Sequence, residues 1–497
     1  MSKVQGDYIM MLTRSLEENI AAARTLLPID TSFDMITRDL LLGETRACLL
    51  GINGMCKTEV LQRIFSDLQN PEYMNDNVVK HLKQYMEARI GYAQVQLEGD
   101  WDKLLRQLLS GPAVLLVDGF DQALILDVRS YPARGISEPD AEPVLRGARD
   151  GFVETMLFNA NLIRRRIRSP RLTFRLCSVG RDSKTDVALA YVDDLADPEL
   201  VQQAADSLSR LQVSSLTMGA KSLEELLVKK RWYNPLPSMH LTERPDVACS
   251  YLMEGHVLII VDNSPTVLIL PSTVFQFTQS PDDYYSSPLV GSYFRLARFA
   301  CIPASLVLMP LFLLITSRYP DISARYHLLD SADAGPVTVF FYVLAVEFIL
   351  DLFKYSASHS ASRFSGSLSI VGGLIIGDIA VELNWASVEV LFYAAVTLLA
   401  TLSLTSTEFA DGLRLYRLFL ILVTGLGGLW GFVLGLVLVA LSVATTPTYG
   451  GYSYLWPLYP FNWQALKTLL LRYPTFRAQP SRVWNRGRHP QSPEKNS

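Results

Sequence analysis

The sequence predicts a multidomain membrane protein in which a cytoplasmic α/β N-terminal region of two related modules precedes an α-helical transmembrane bundle. Charged residues occur at the density of a soluble protein through residues 1–290, whereas residues 299–462 contain long stretches with almost none. Apolar strand patterns recur in the first part in the same order. The change in composition and the internal repeat together predict this fold class.

Length, charge and cysteine content limit the class of protein further. The chain has 497 residues, too many for one compact core, and its net charge of −4 argues against a nucleic-acid-binding protein. Its five cysteines follow no metal-ligand or disulfide spacing, so they suit a reducing compartment. The opening residues MSKVQGDYIMMLTRSLEEN contain no apolar core long enough for a signal peptide. We therefore expect residues 1–290 to remain in the cytoplasm.

The second part contains candidate membrane-spanning stretches. A helix needs about 20 apolar residues to cross the hydrocarbon core of a bilayer. The candidates are residues 299–316, 337–355, 367–381, 385–404 and 415–446. The third is short for a full crossing, and the last is longer than a bilayer requires.

Basic residues predict the orientation of these stretches. Arg295 and Arg298 precede the first stretch, and the tail after Phe461 is rich in lysine and arginine, so both ends are predicted on the cytoplasmic side. Two cytoplasmic ends require an even number of crossings. Either one stretch is re-entrant or interfacial, or the last one splits near Gly425–Gly428.

An internal repeat organises the first part. Residues 115–126 (LLVDGFDQALIL) and 259–270 (IIVDNSPTVLIL), 144 positions apart, each show the strand–turn–strand pattern of a β-hairpin. At an offset of 140 positions, residues 49–61 and 189–201 each run from a strand through a polar turn into a helix. Chance similarity between short apolar strands is the alternative. The repeat predicts that the two hairpins occupy equivalent places in similar modules.

These patterns divide the chain into six segments. They are an N-terminal lead (1–30), module one (31–130), a connecting helical segment (131–170), module two (171–290), the transmembrane domain (291–462) and a basic cytoplasmic tail (463–497). An amphipathic helix in the connecting segment is predicted by apolar residues at helical spacing, namely Phe152, Met156, Ala160, Ile163 and Ile167. The arginines at 164–168 fall in its last turn, where they complement the helix dipole; a docking surface is the alternative.

No motif predicts catalysis, a metal site or a cofactor. The segment from Gly51 to Thr58 resembles a phosphate-binding loop, but Cys56 replaces the glycine that should precede Lys57. The six histidines form no metal-binding spacing. We therefore expect a protein that is not an enzyme and binds neither nucleotide nor nucleic acid.

Two features of the apolar stretches predict helix packing and an ion path. Small residues recur at every fourth position in two stretches: Ser369, Gly373 and Gly377, then Gly427, Gly431 and Gly435. This spacing lets helix backbones approach closely. The alternative is that the glycines only add flexibility. Glu347, Asp351 and Lys354 share one helix face, as do Asp378 and Glu382.

Carboxylates within membrane helices usually face a bundle interior or water, because a charge facing lipid costs about 2.5–3.5 kcal/mol. Four carboxylates against one lysine across these two stretches therefore favour a cation path. The alternatives are that helix 337–355 lies along the membrane interface, and that Asp378 and Glu382 lie at the end of a short helix.

Several longer motifs resemble one protein family. They are SYPARGISEPDAEPVLRGARDGFVETMLFNANLIRRRIRSPRL and VGRDSKTDVALAYVDDLADPELV within residues 130–201, TERPDV (242–247), VDNSPTVLILP (261–271), QSPDDYY (279–285) and SIVGGLIIGDIAV (369–381). Over roughly residues 30–475 the chain is similar to the GerA family of spore germination proteins.

The resemblance implies a role in germination at the inner spore membrane. It implies an oligomeric subunit that conducts monovalent cations and contacts lipid, further copies of itself and other germination membrane proteins. A non-conducting receptor or scaffold subunit that passes a signal to such partners is the alternative. A secondary transporter is a third possibility, but the sequence contains no visible repeat within the membrane half.

Overall fold

The computed structural model describes residues 10–42, 45–68, 95–131, 142, 147–229, 232–325, 336–359, 382 and 387–472. These residues form two compact units. Among the described residues, the first comprises those up to 227 together with 241–271, and the second comprises 228–240 together with those from 272 to 472.

The first unit contains two modules whose strands follow the same order; among the described residues, module two has one more helix between its second and third strands than module one. Module one consists of α1 (Leu16–Leu26), β1 (Met35–Leu42), β2 (Thr45–Ile52), α2 (Thr58–Leu68), β3 (Val95–Glu98), α3 (Trp101–Leu108), β4 (Ala113–Val117) and β5 (Ala123–Leu126). Module two consists of α4 (Met156–Arg166), β6 (Leu172–Val179), β7 (Thr185–Val192), α5 (Pro198–Arg210), α6 (Gly219–Leu227), β8 (His240–Thr242), α7 (Pro245–Met253), β9 (Val257–Val261) and β10 (Val267–Leu270).

The two sheets have the same topology. Their strand orders are β1-β2-β4-β5-β3 and β6-β7-β9-β10-β8. The predicted hairpins are β4–β5 and β9–β10, and each occupies the third and fourth places of its sheet. The predicted equivalence of the two hairpins is therefore confirmed.

The central strands explain why the repeat is visible as uninterrupted apolar runs. Every residue of β4, β5, β9 and β10 is buried. Helices cover both faces of such a strand, so its side chains cannot alternate between core and solvent. An apolar run of four or five residues is the expected sequence signature of this environment.

The duplication extends to individual hydrogen bonds. In module one, Asp118 in the β4–β5 turn accepts a hydrogen bond from the amide of Leu16 at the start of α1, at 3.0 Å. In module two, Asp262 in the β9–β10 turn accepts one from the amide of Met156 at the start of α4, also at 3.0 Å. Each aspartate therefore satisfies an amide that a helix start leaves without an intrahelical partner.

A second duplicated contact fixes the chain that enters each of these helices. The Asn19 side chain bonds both the amide and the carbonyl of Thr13, at 3.0 and 2.6 Å. The Asn159 side chain makes the same pair of bonds to Val153, at 2.8 and 2.5 Å. Both asparagines are buried. The helices α1 and α4, which the sequence reading placed in the lead and the connecting segment, thus have equivalent places and pack into the cores of the two modules.

A buried ion pair joins the two modules. Arg164 of α4 and Asp34, just before β1, are both fully buried, with 2.8 Å between Nε and Oδ2. Arg164 also donates to the carbonyl oxygens of Ser169 and Leu172. The arginine run is therefore not a purely solvated or docking surface, because its first member lies inside the first unit.

The cysteines are dispersed along the chain. All five are free thiols. Burial raises the pKa of the Cys249 thiol to about 12 and that of Cys56 to about 11. Neither thiol forms appreciable thiolate near neutral pH.

The second unit is mainly helical. Its elements are α8 (Asp282–Tyr285), α9 (Pro288–Arg318), α10 (Pro320–Arg325), α11 (Pro336–His359), α12 (Val388–Leu402), α13 (Thr407–Ala444) and α14 (Trp463–Leu470). Within the described residues, α9 and α13 are long and apolar enough to cross a membrane, and α12 is a shorter apolar helix.

The helix α13 is a hairpin of two arms. Gly428 has φ 57° and ψ −134°, which interrupts the helix. The hydroxyl groups of Tyr416 and Ser442 lie 2.7 Å apart, although 26 residues separate them along the chain. Residues 407–427 and 429–444 therefore run antiparallel. This agrees with the sequence alternative in which the last apolar stretch splits near Gly425–Gly428.

Candidate functional site

The most distinctive site in the second unit is a row of ion pairs between two helices. On α11 the charged residues are spaced by four and three, and on α13 by three and three, so each set occupies one helix face. The two faces meet in antiparallel order as Glu347–Arg417, Asp351–Arg414 and Lys354–Asp411. We call these six residues the charge ladder.

The innermost rung is fully enclosed. Glu347 Oε2 and Arg417 Nη2 lie 2.8 Å apart, and the two side chains are 1% and 4% exposed. A charge in this position requires a partner, because removing one member of a buried pair typically costs about 3–5 kcal/mol. The pair is the deepest polar contact between α11 and α13.

Arg417 also connects two further helices. Its Nη1 donates to the carbonyl oxygen of Ser305 on α9 at 2.9 Å and to Oγ1 of Thr401 on α12 at 3.2 Å. With Glu347 on α11 and its own place on α13, this one guanidinium contacts four helices. Arginine suits such a position because its planar group offers five donors in fixed directions.

The ladder becomes more exposed in one direction. Exposure rises from the Glu347–Arg417 rung to Asp351–Arg414, where 3.2 Å separates the charged atoms, and rises again at Lys354–Asp411. Three buried atoms of the ladder have no hydrogen-bond partner among the described residues: Oε1 of Glu347, Nε of Arg414 and Nε of Arg417. The site therefore combines enclosed charge with unused hydrogen-bonding capacity.

The residues predicted for an ion path have different placements. Glu347 and Asp351 are two rungs of the ladder, whereas Glu382 is exposed. Asp378 lies outside the described residues. The predicted excess of four carboxylates over one lysine needs correction, because Arg414 and Arg417 from another helix neutralise two of them.

Sequence reasoning missed the arginines for an identifiable reason. Asp411, Arg414 and Arg417 stand just before the long apolar run of α13, where they read as the flank of a membrane span. Their spacing of three was the available signal, because it places all three charges on one helix face, as the spacing of four and three does on α11. The sequence does not show which two faces meet.

The predicted packing glycines of α13 lie at different positions relative to the hairpin. A Cβ atom on Gly431 would lie 2.1 Å from the carbonyl oxygen of Val423 on the opposite arm, and one on Gly435 would lie 2.7 Å from Leu420. A Cβ atom on Gly427 would meet nothing within 4 Å. The other predicted stripe, Ser369, Gly373 and Gly377, lies outside the described residues.

The part of the chain that the structure describes has no cluster of three or more histidine, cysteine, aspartate or glutamate residues suited to a metal ion.

Comparison with known proteins identifies the family. The family model described as Bacillus/Clostridium GerA spore germination protein matches residues 25–482. The chain belongs to the GerA family. The resemblance seen in the sequence motifs is thus confirmed over nearly the whole chain.

Two individual relatives cover most of the chain. It is 36% identical over 468 residues to Stage V sporulation protein AF of Bacillus subtilis, covering 92% of this chain and 93% of that protein. It is 28% identical to Spore germination protein KA of the same organism, covering 94% of this chain and 86% of that protein. GerA-family relatives thus include both sporulation and germination proteins.

Two further matches are a second curated relative of Bacillus subtilis and a solved structure. The Bacillus subtilis protein named Uncharacterized membrane protein YfkQ is 27% identical, covering 81% of this chain and 78% of that protein. The crystal structure of the N-terminal domain of the A subunit of the Bacillus megaterium spore germinant receptor GerK3 covers 52% of this chain and 96% of that chain, with 25% identity and a TM-score of 0.39.

Proposed function

We propose that this GerA-family protein is a cation-conducting subunit of an oligomer in the inner spore membrane and acts in germination. Family membership supports the role in germination, and the apolar lengths of α9 and α13 support insertion in a membrane. A monovalent cation is the proposed permeant ion, and lipid, further copies of the chain and other germination membrane proteins are the proposed partners.

The observation that carries this proposal is the charge ladder. Charges within membrane helices are costly and commonly mark ion pathways. Here they extend from an enclosed pair, Glu347–Arg417, to an exposed pair, Lys354–Asp411, along the contact of two helices. Such a row gives ions or water a polar surface between two largely apolar helices.

A non-conducting receptor or scaffold subunit is the second candidate. The specific observation in its favour is that Glu347, Asp351 and Asp411 each pair with a cation of the same chain. In this case the ladder holds α11 against α13, and a partner protein conducts. We retain this candidate because compensated carboxylates attract a passing cation less than free ones.

The proposed orientation places the first unit and the C-terminal tail in the cytoplasm. Its support is the basic character of both flanks, namely Arg295 and Arg298 at the start of α9 and Lys467 and Arg472 near the end of the described residues. Arg477, which extends this basic flank, lies outside the described residues.

Ion flux from liposomes tests the function directly. We expect purified protein to release potassium, and we expect the combined Glu347→Gln and Asp351→Asn substitutions to lower the flux or change its ion selectivity while the protein still assembles. The matched control is Asp321→Asn, which neutralises an exposed carboxylate of α10 outside the ladder.

The possible outcomes separate the candidates. Absence of flux from well-folded, assembled protein favours the scaffold. Flux that is normal in the double variant removes this helix face from the pore.

A further inference from the structure

One segment of the first half of the chain belongs to the second unit. Residues 228–240 leave the first unit after Leu227 and return to it at Leu241. Buried Asn234 holds this segment: its Nδ2 donates to Oγ1 of Thr446 at 2.8 Å, and the Tyr416 hydroxyl donates to its Oδ1 at 3.3 Å. These partners lie on the first arm of the α13 hairpin and just beyond the end of its second arm.

Apolar packing fixes the same segment. Leu236 is fully buried in a cluster that includes Phe277, Phe409 and Tyr454. A Cβ atom on Gly412 would lie 3.1 Å from both Pro235 and Leu236, so the segment lies directly against α13. We call the end of the helical unit where this segment lies the base.

The segment presents an exposed aromatic pair next to positive charge. Trp232 is 95% exposed and packs edge-to-face on Tyr233, which is itself more than half exposed. Lys229 is exposed, and the sequence reads Lys-Lys-Arg-Trp-Tyr over residues 229–233. Lys230 and Arg231 lie outside the described residues. Leaving a whole indole ring in water is unfavourable, because burying a large apolar side chain stabilises it by about 1.5–3 kcal/mol.

Other aromatic residues surround the same base. Tyr293, Phe294, Tyr459, Phe461 and Trp463 are all at least half exposed. They belong to one end of the unit because Arg295 on α9 donates to the Thr468 carbonyl at 3.1 Å, and the Val274 amide donates to the Tyr454 carbonyl at 2.9 Å. Lys467 lies over the Trp463 ring, 5.0 Å from its centroid.

We propose that Lys229, Trp232 and Tyr233 bind the surface of an anionic phospholipid membrane, with the Trp232 ring at headgroup level and Lys229 towards lipid phosphate. Tryptophan and tyrosine concentrate at membrane–water interfaces, and basic residues beside a span are attracted to anionic lipid. Asn234 holds the pair beside the α13 hairpin. This inference rests on the proposed function only in requiring that the second unit spans a membrane.

Tryptophan fluorescence of the full chain in lipid nanodiscs tests the inference. The Trp232 signal is obtained as the difference between the protein and its Trp232→Phe variant. We expect lipids with a nitroxide on the headgroup to quench this signal in discs that contain phosphatidylglycerol, and to quench it less in discs of phosphatidylcholine alone.

Charge variants test the lipid selectivity. A surface cation contributes about 1 kcal/mol near an anionic membrane, which is about a fivefold change in surface affinity. Lys229→Glu should therefore lower the quenching in anionic discs. The control is Arg210→Glu, which reverses an exposed cation of α5 in the first unit and should leave the quenching unchanged.

The Trp430 signal distinguishes failure of the inference from failure of the proposed function. Trp430 is highly exposed on the second arm of α13 and should be quenched by lipids with brominated acyl chains. If Trp430 is not quenched, the unit does not span the disc. If Trp430 is quenched but Trp232 is not, or if Trp232 is quenched equally in both lipids, anionic-lipid binding is refuted. Shielding of Trp232 from both lipid and aqueous quenchers refutes it in favour of a protein partner.

Discussion

Removal of the Asp34 carboxylate should strongly destabilise the first unit. Arg164 makes four hydrogen bonds, two of them to Asp34 at 2.8 and 3.3 Å, and neither side chain is exposed to solvent. In Asp34→Ala the guanidinium keeps two carbonyl partners but loses its counter-charge in a buried position. The expected cost is about 3–5 kcal/mol of unfolding free energy.

This magnitude is large relative to the stability of a typical domain, which is about 5–15 kcal/mol. Glu17→Ala is the matched control, because Glu17 pairs with Arg46 at 3.1 Å with both side chains mostly exposed. An exposed pair contributes about 0–1 kcal/mol. The two variants remove the same chemical group, so the difference between them measures burial.

The assay is denaturant unfolding of the full chain in detergent, combined with hydrogen exchange read on peptides that contain Phe33 and Phe174. The Phe33 amide donates to the Phe174 carbonyl at 3.0 Å, so its protection reports the junction of the two modules. Arg164→Met combined with Asp34→Ala should cost less than the sum of the single changes, because the double variant leaves no unpaired charge. The reasoning fails if Asp34→Ala and Glu17→Ala lose the same stability to within about 1 kcal/mol.

Two further predictions address the hairpin and the duplication. Gly431→Ala should lower the free energy of unfolding by about 1–3 kcal/mol through overpacking, whereas Gly427→Ala should be neutral or slightly stabilising. Equal effects of the two changes in thermal unfolding would contradict the close approach of the two arms of α13. Asp118→Ala and Asp262→Ala should each lower the free energy of unfolding by about 0.5–2 kcal/mol. They should also speed amide hydrogen exchange at the start of α1 and α4 respectively. A large effect in only one module would contradict the equivalence of the two modules.

The duplication was predictable because burial and turn chemistry both leave traces in sequence. Strands covered on both faces require apolar runs, and the turns that join β4 to β5 and β9 to β10 each begin with an aspartate that also caps a helix. The apolar runs and the turn aspartates of module one recur in module two at a nearly constant distance along the sequence. The pattern therefore specifies both the kind of element and its order.

The partners of buried charges were not predictable in the same way. Arg164 lies in an arginine run that periodicity assigns to a helix end, yet its partner is 130 residues away along the chain. Arg417 likewise pairs with Glu347, 70 residues away. Periodicity identifies which residues share a face, whereas pairing depends on which faces the tertiary fold brings together.

The gradient along the charge ladder separates two roles that the sequence assigned to one ion path. Glu347 is enclosed, and its partner Arg417 also bonds α9 and α12, so substituting Glu347 acts first on how these helices pack. Asp351 and Asp411 retain partial exposure and lie towards the more exposed end of the ladder. In an oligomer whose ion path runs between copies, only such partly exposed carboxylates can face the path without rearrangement of the bundle. An effect on ion selectivity is therefore expected to originate at Asp351, and an effect on the stability of the helix bundle within each copy at Glu347.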